Sequence, residues 1–225
     1  MEKLIYLLDR AATPGTLKHF LLNDGLEGLR GAQASEITIN IANIDSDVAD
    51  VAPQRIAGPW SDLGAAVSLW TATVDRHKDF LRVLAQTGCT IHGYLVTESV
   101  PQPCIDSWAE GERRPGVTQF TAHGKPDAVS EADFYRNWAE HTELSFKLHP
   151  DRWSYVRNAV ARPLTENSPP YRALVLEHFR TLEDFTDEDR YFGDPAIVQQ
   201  MYEELPGFCD FNTMVTGPMS EYYFR

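Results

Sequence analysis

Thirty-three residues, Ser130 to Arg162 (SEADFYRNWAEHTELSFKLHPDRWSYVRNAVAR), restrict the fold of this chain more than any other segment. Ser130 can accept the free amide of Asp133 while Asp133 reaches back, a capping box that starts a helix. Phe134, Trp138 and His141 then recur at i, i+4 and i+7, so they share one helical face. A histidine on the face that carries the largest apolar groups points inward. The helix is expected to end near His149-Pro150, because a proline disfavours helical geometry in the residue before it. Arg152 to Ala161, rich in aromatic and β-branched side chains, has the composition and length of a strand. The unit is a helix with one inward imidazole leading into an aromatic strand. A core histidine satisfied by a carbonyl is its structural alternative.

Around that unit the second half reads strand (Val117–Ala122), helix (Glu131–Leu148), strand (Trp153–Ala161), strand (Tyr171–Phe179), helix, strand (Asn212–Thr216, resuming at Tyr222). Its second helix is expected to be broken, with a capping box at Thr181-Leu-Glu-Asp184 and Pro195 as the first helical residue before Ala196–Glu204. The first half repeats the order. Lys3–Leu8 is a strand, Pro14 starts a helix running to about Arg30, and Ile37, Ile39 and Ile41 alternate with Thr38 and Asn40. Ala65–Ala72 is a strand, Val74–Ala85 a helix, and Thr90–Glu98 a closing strand, with Gly88 in the turn between them. Pro101 to Gly116 reads as a linker. The fold class is therefore α+β, two ferredoxin-like β-α-β-β-α-β repeats at 1–100 and 117–225 joined by 101–116. A sheet covered by helices on one face needs a partner on the other. The three isoleucines suit the helix side, which sends Thr38 and Asn40 to the opposite one.

Ser130, Phe134, Trp138 and His141, followed by Tyr155 and Asn158, form the pattern S-x-x-x-F-x-x-x-W-x-x-H then Y-x-x-N. With Phe179-Arg-Thr-Leu-Glu-Asp-Phe185, this resembles the EthD-like family of the dimeric α+β barrel superfamily over about Val117 to Phe224. The resemblance implies an intramolecular dimeric α+β barrel in a tandem, two-repeat form. A ligand pocket would lie between the sheets, or between one sheet and its helices. It also implies a cofactor-independent acid–base enzyme acting on a hydrophobic aromatic or polyketide-like molecule by decarboxylation, dehydration, cyclisation or isomerisation, with a lyase favoured. Ala159 stands where family members often carry a second histidine, so a mechanism needing two histidines from this helix and strand is not expected.

The candidate catalytic set is His141 as general base or acid, Tyr155 as donor to a developing oxyanion, and Asn158 as an amide able to hold a carbonyl. Tyr155 and Asn158 differ by an odd offset, so they reach one pocket only through a bulge or at the strand end. Trp153, Tyr155 and Arg157 alternate onto one strand face, a bed for a flat substrate carrying a carboxylate or phenolate, with Trp138 and Trp153 as walls. Glu177 and His178 close an apolar strand, and only one of them can face a given cavity. His92 and Tyr94 share a face of the last strand of the first half. Asp24 stands roughly where His141 does in the other half, so one site per chain is expected.

The formal charge of −13 argues against nucleic acid and against anionic membrane surfaces. No signal peptide and no membrane-spanning run is expected, and the chain is expected to be cytoplasmic. Cys89, Cys104 and Cys209 suggest neither a disulfide framework nor a zinc knuckle. The seven histidines include no metal-binding pair, and no nucleotide fingerprint occurs, so neither metal nor organic cofactor is expected. Relatives in the superfamily bind haem through a histidine, yet nothing in the sequence singles out an axial ligand. The partner is a small hydrophobic or aromatic molecule, with a homodimer left open. The alternatives are a non-catalytic binding or auxiliary protein for a small aromatic ligand, a cofactorless monooxygenase or cyclase, and a barrel serving only as a scaffold.

Overall fold

The structure is a computed structural model in which residues 1–9, 14–42, 63–105 and 108–225 are described. The strands are β1 (Glu2–Asp9), β2 (Ser35–Ala42), β3 (Leu63–Thr71), β4 (Ile91–Gln102), β5 (Val117–Gly124), β6 (Arg152–Pro163), β7 (Ala173–Phe179) and β8 (Asp210–Phe224). The helices are α1 (Pro14–Leu22), α2 (Asp24–Gly31), α3 (His77–Leu84), α4 (Glu131–Leu148), α5 (Leu182–Thr186), α6 (Glu188–Phe192) and α7 (Pro195–Glu204). All strand pairs are antiparallel and close a barrel in the order β1-β3-β2-β8-β5-β7-β6-β4, with β4 returning to β1. The halves are stitched together at two seams, β2 with β8 and β4 with β6.

Strand alternation sorts the apolar side chains into two layers. Leu4, Tyr6, Leu8, Ile37, Ile39 and Ile41 face outward onto α1, α2 and α3. Ile5, Leu7 and Tyr94 face inward and meet Phe120, Leu174, Leu176 and Met219 from the other half. The barrel interior is thus a packed core over most of its length. Outside the second half a third cluster joins Phe134, Trp138 and Leu148 of α4 to Val175, Met201, Leu205 and Phe208. Each such side chain, once fully buried, contributes about 1.5–3 kcal/mol.

Helix α4 spans the range expected from its cap and period. The Asp133 amide donates to Ser130 Oγ at 3.1 Å, but the Asp133 carboxylate accepts the Ser130 hydroxyl at 2.7 Å instead of the backbone amide. The reciprocal box forms at Thr181 and Asp184. Two expected helices are interrupted. The one from Pro14 breaks at Asn23, whose backbone leaves the helical region (φ −129, ψ −100) and whose Nδ2 donates to the His19 carbonyl at 2.7 Å. The one from Val74 begins as a 3-10 turn capped by Thr73 before α3. The last strand, expected in two pieces, is continuous. Residues 101–116, of which 106 and 107 lie outside the described set, carry Arg114, buried on Glu221 at 2.7 Å. Gly116 at the end of this segment has φ +86, and a Cβ there would come within 2.0 Å of the Phe179 carbonyl oxygen.

Candidate active site

One strand breaks the usual rule that a sheet turns its apolar side to its helices. In β5, Phe120 and Ala122 enter the barrel core, while Gln119, Thr121 and His123 face the helices. The space they face is a cavity of about 290 Å³, enclosed by the outer surface of the second-half strands and by α4, α6 and α7. Four of the expected residues, His141, Tyr155, Trp138 and Glu177, line it together. Between the two halves, at one end of the barrel, lies a smaller polar space of about 150 Å³.

His141 projects from α4 beside Phe208, with ring centroids 4.9 Å apart. Its Nδ1 is buried without a hydrogen-bond partner and lies 3.6 Å from Glu204 Oε2, itself buried and unpartnered. The other oxygen of Glu204 accepts from Gln200 Nε2 at 2.7 Å, which holds the carboxylate on α7. Burial pushes the imidazole down to about 4, against a smaller upward pull from Glu177. The ring is therefore neutral near pH 7 and able to accept a proton. Burial pushes the Tyr155 phenol up to about 12, so it stays protonated and able to donate at neutral pH.

Beneath the cavity runs a buried network. Arg152, whose side chain is 0% exposed, donates to Glu177 Oε1 at 2.6 Å, to Ser145 Oγ at 3.2 Å and to Gln102 Oε1 at 3.1 Å. Its guanidinium also lies over the Tyr155 ring at 4.1 Å. Gln119 Nε2 donates to Glu177 Oε2 at 3.0 Å, and Tyr191 donates to Gln119 Oε1 at 2.7 Å. Burial alone pushes the Glu177 carboxyl up, but Arg152, helped by His149 and Gln119, outweighs it and holds the group below the usual carboxylate range.

The remaining expected residues lie elsewhere. Asn158 alternates with Tyr155 to the barrel side, where its Nδ2 donates to the Leu174 carbonyl at 3.1 Å. The register shifts between Arg152 and Ser154, and this bulge separates Trp153 from Tyr155 and brings Arg152 to the Tyr155 side. Trp153 instead stands near Arg114 (5.0 Å), Arg180 (5.0 Å) and His178 (5.6 Å). Arg157 lies on the face of Trp138 at 4.1 Å and donates to Thr142 Oγ1, outside the cavity lining. His178 faces the barrel-end space, bonded to Thr118 Oγ1 and the Pro115 carbonyl, each at 2.7 Å. Tyr94 is in the barrel core, donating to the Pro169 carbonyl at 3.0 Å, and His92 is buried on the same strand. The expected bed of Trp153, Tyr155 and Arg157 is therefore not assembled.

Several lining groups escaped sequence reasoning: His123, Cys209, Gln119, Tyr191 and Phe208, with Glu204 behind His141. The polar alternation Gln119, Thr121, His123 was the available signal for three lining positions. Among the described residues no arginine or lysine lines the cavity, while Glu177 and Glu188 do. Among the described residues no group of three or more His, Cys, Asp or Glu is placed to hold a metal ion, and no helix is long and apolar enough to cross a membrane.

No protein-family model matches the chain, and no curated protein does. Solved structures match along nearly its whole length. An anthrone oxidase-like protein superposes with a TM-score of 0.65 at 10% identity, covering 99% of this chain and 93% of that one. A candidate monooxygenase from Fusobacterium nucleatum subsp. nucleatum gives 0.55 at 4% identity, covering 100% and 93%. A mutant chlorite dismutase from Candidatus Nitrospira defluvii gives 0.52 at 10% identity, covering 97% and 91%. The chain has the dimeric α+β barrel fold. A haem does not suit this lining. Its two propionates would meet Glu177 and Glu188 and, among the described residues, no cation, and the volume of about 290 Å³ falls just under the about 300–1,000 Å³ typical of ligand clefts. His123 has both nitrogens engaged, and His149 Nδ1 is spent on the Tyr191 carbonyl at 2.6 Å.

Proposed function

We propose that this protein is an acid–base enzyme, needing no cofactor, that removes a proton from a small, uncharged, largely aromatic molecule. The observation that carries the reading is the buried, unbonded Nδ1 of His141, 3.6 Å from an unbonded Glu204 oxygen at the wall of a cavity without cations. Neutral His141 accepts the proton, and the Glu204 carboxylate stabilises the imidazolium that forms. Tyr155, protonated at neutral pH, donates a hydrogen bond to the oxygen on which negative charge builds. The finer assignment is a lyase. The carbanion expels a β-hydroxyl, which leaves as water with the proton held on His141, and a double bond remains. Dehydration is favoured over decarboxylation because, among the described residues, no arginine or lysine lines the cavity to hold a carboxylate.

A second reading shares the first step. The superposition on an anthrone oxidase-like protein supports a cofactorless oxygenase, in which the same carbanion meets dioxygen. We further read the chain as an EthD-like tandem with ferredoxin-like repeats at 1–100 and 117–225. The motif from Ser130 to Asn158 and the equivalent strand orders β4-β1-β3-β2 and β8-β5-β7-β6 support this.

The test reads proton removal whatever follows it. Anthrone and a panel of aryl β-hydroxyketones, incubated with the protein in D₂O, should exchange their acidic C–H protons faster than in buffer. His141→Gln should lower that rate by about 10²-fold or more, and Glu204→Gln by less. Unchanged exchange in His141→Gln overturns the mechanism. Binding without exchange, followed by tryptophan fluorescence, favours the non-catalytic binding protein.

A further inference from the structure

His123 and Cys209 take no part in that mechanism, yet both line the same cavity. Cys209 Sγ lies 3.5 Å from His123 Nε2, across 86 residues of sequence. On the other side of the ring, Nδ1–H donates to the Gly124 carbonyl at 2.9 Å, which fixes the tautomer and turns the Nε2 lone pair toward sulfur. Phe134, Trp138 and Phe208 hold the imidazole edge-on, with centroids 5.8–6.4 Å away. Nucleophile, base and orienting acceptor thus stand in the order required of an activated thiol.

We infer that Cys209, with His123 as its base, adds to uncharged α,β-unsaturated carbonyl compounds admitted to the cavity, reversibly to enones and lastingly to quinones. The aromatic walls and the lack of cations suit an uncharged, flat electrophile. As the S–C bond forms at the β-carbon, the C=C pair moves toward the carbonyl oxygen. The thiol proton passes to His123 Nε2 and then to the α-carbon of an enone adduct or the oxygen of a quinone adduct. Nothing leaves and no external oxidant is consumed; the enone adduct reverts by the same path, whereas in the quinone adduct the ring C–H proton moves to the second oxygen and the aromatic hydroquinone thioether remains. Burial pushes the Cys209 thiol up and His123 down to about 4, so the resting pair is neutral and the proton stays on sulfur until an electrophile arrives. Cys89 and Cys104 lie outside this cavity.

The inference uses the cavity but not His141, so its fate is separable from that of the exchange assay. The intact protein is treated with N-ethylmaleimide and, separately, with p-benzoquinone, and the adduct is located by peptide mass mapping. Modification is expected at Cys209, retained in a Cys89→Ser/Cys104→Ser variant and slowed about 10²-fold in His123→Ala. The Cys209 rate in the unaltered protein should be nearly flat from about pH 6 to about pH 8, because the base is already neutral throughout. Labelling confined to Cys89 and Cys104, an unchanged rate in a folded His123→Ala, or a tenfold rise per pH unit typical of an unassisted thiolate would each overturn it.

Discussion

Arg152→Met isolates what the buried network beneath the cavity contributes. The substitution keeps an apolar stem but leaves Glu177 without the guanidinium at 2.6 Å and removes the cation over the Tyr155 ring. Removing one member of a buried ion pair costs about 3–5 kcal/mol. A desolvated cation–π contact is worth about 2 kcal/mol, part of which methionine recovers by packing. The two losses share one side chain and do not add, so about 4 kcal/mol is expected against a total stability of about 5–15 kcal/mol. The pH dependence follows from Glu177. In the unaltered protein its pKa is held low, so its contribution is present above the unfolded value and is lost as pH falls through the folded one. In the variant, burial is unopposed and raises the folded pKa. The added cost is then largest where the unfolded carboxyl is ionised and shrinks as pH falls toward the usual carboxylate range. Urea unfolding followed by tryptophan fluorescence at about pH 8 and about pH 5.5 should therefore give a smaller difference from the unaltered protein at the lower pH. Arg152→Met/Glu177→Met should recover most of the loss at about pH 8. A loss under about 1 kcal/mol at about pH 8, or equal losses at both pH values, would refute the reasoning.

The pH profile of substrate exchange should be flat through neutrality and fall only as pH approaches about 4, where His141 becomes protonated. A limb near the ordinary imidazole value of about 6.5 would place that ring in water. Gly116→Ala should lower stability by more than about 3 kcal/mol, because the positive φ and the approach to the Phe179 carbonyl both oppose a side chain. A thermal melt shifted by less than about 2 °C would contradict the described turn.

The sequence carried α4 almost whole, because its cap at Ser130 and its period through Phe134 and Trp138 are local properties. The strands were visible by alternation for the same reason. What escaped was set by packing between distant segments. The break at Asn23 has no proline, and this cap-type residue, followed by Asp24 and Glu27, makes no side-chain cap bond to α2. The bulge after Arg152 exchanges Trp153 for Arg152 beside Tyr155, and alternation cannot announce it. Cys209 meets His123, and Glu204 meets His141, only once α7 and the start of β8 fold back over β5 and α4. Of the rings expected beside Arg157, Trp153 instead faces Arg114, which comes from residues that read as a linker and also lies over Trp108, while Tyr155 faces Arg152.

Because β4 returns to β1, every strand of the ring has a paired neighbour on each side along at least part of its length. Most of the backbone ladders on which other proteins polymerise or recruit a partner strand are thus satisfied inside this one chain. An assembly of several copies would then draw its specificity chiefly from side chains on the helical shell and the connecting loops.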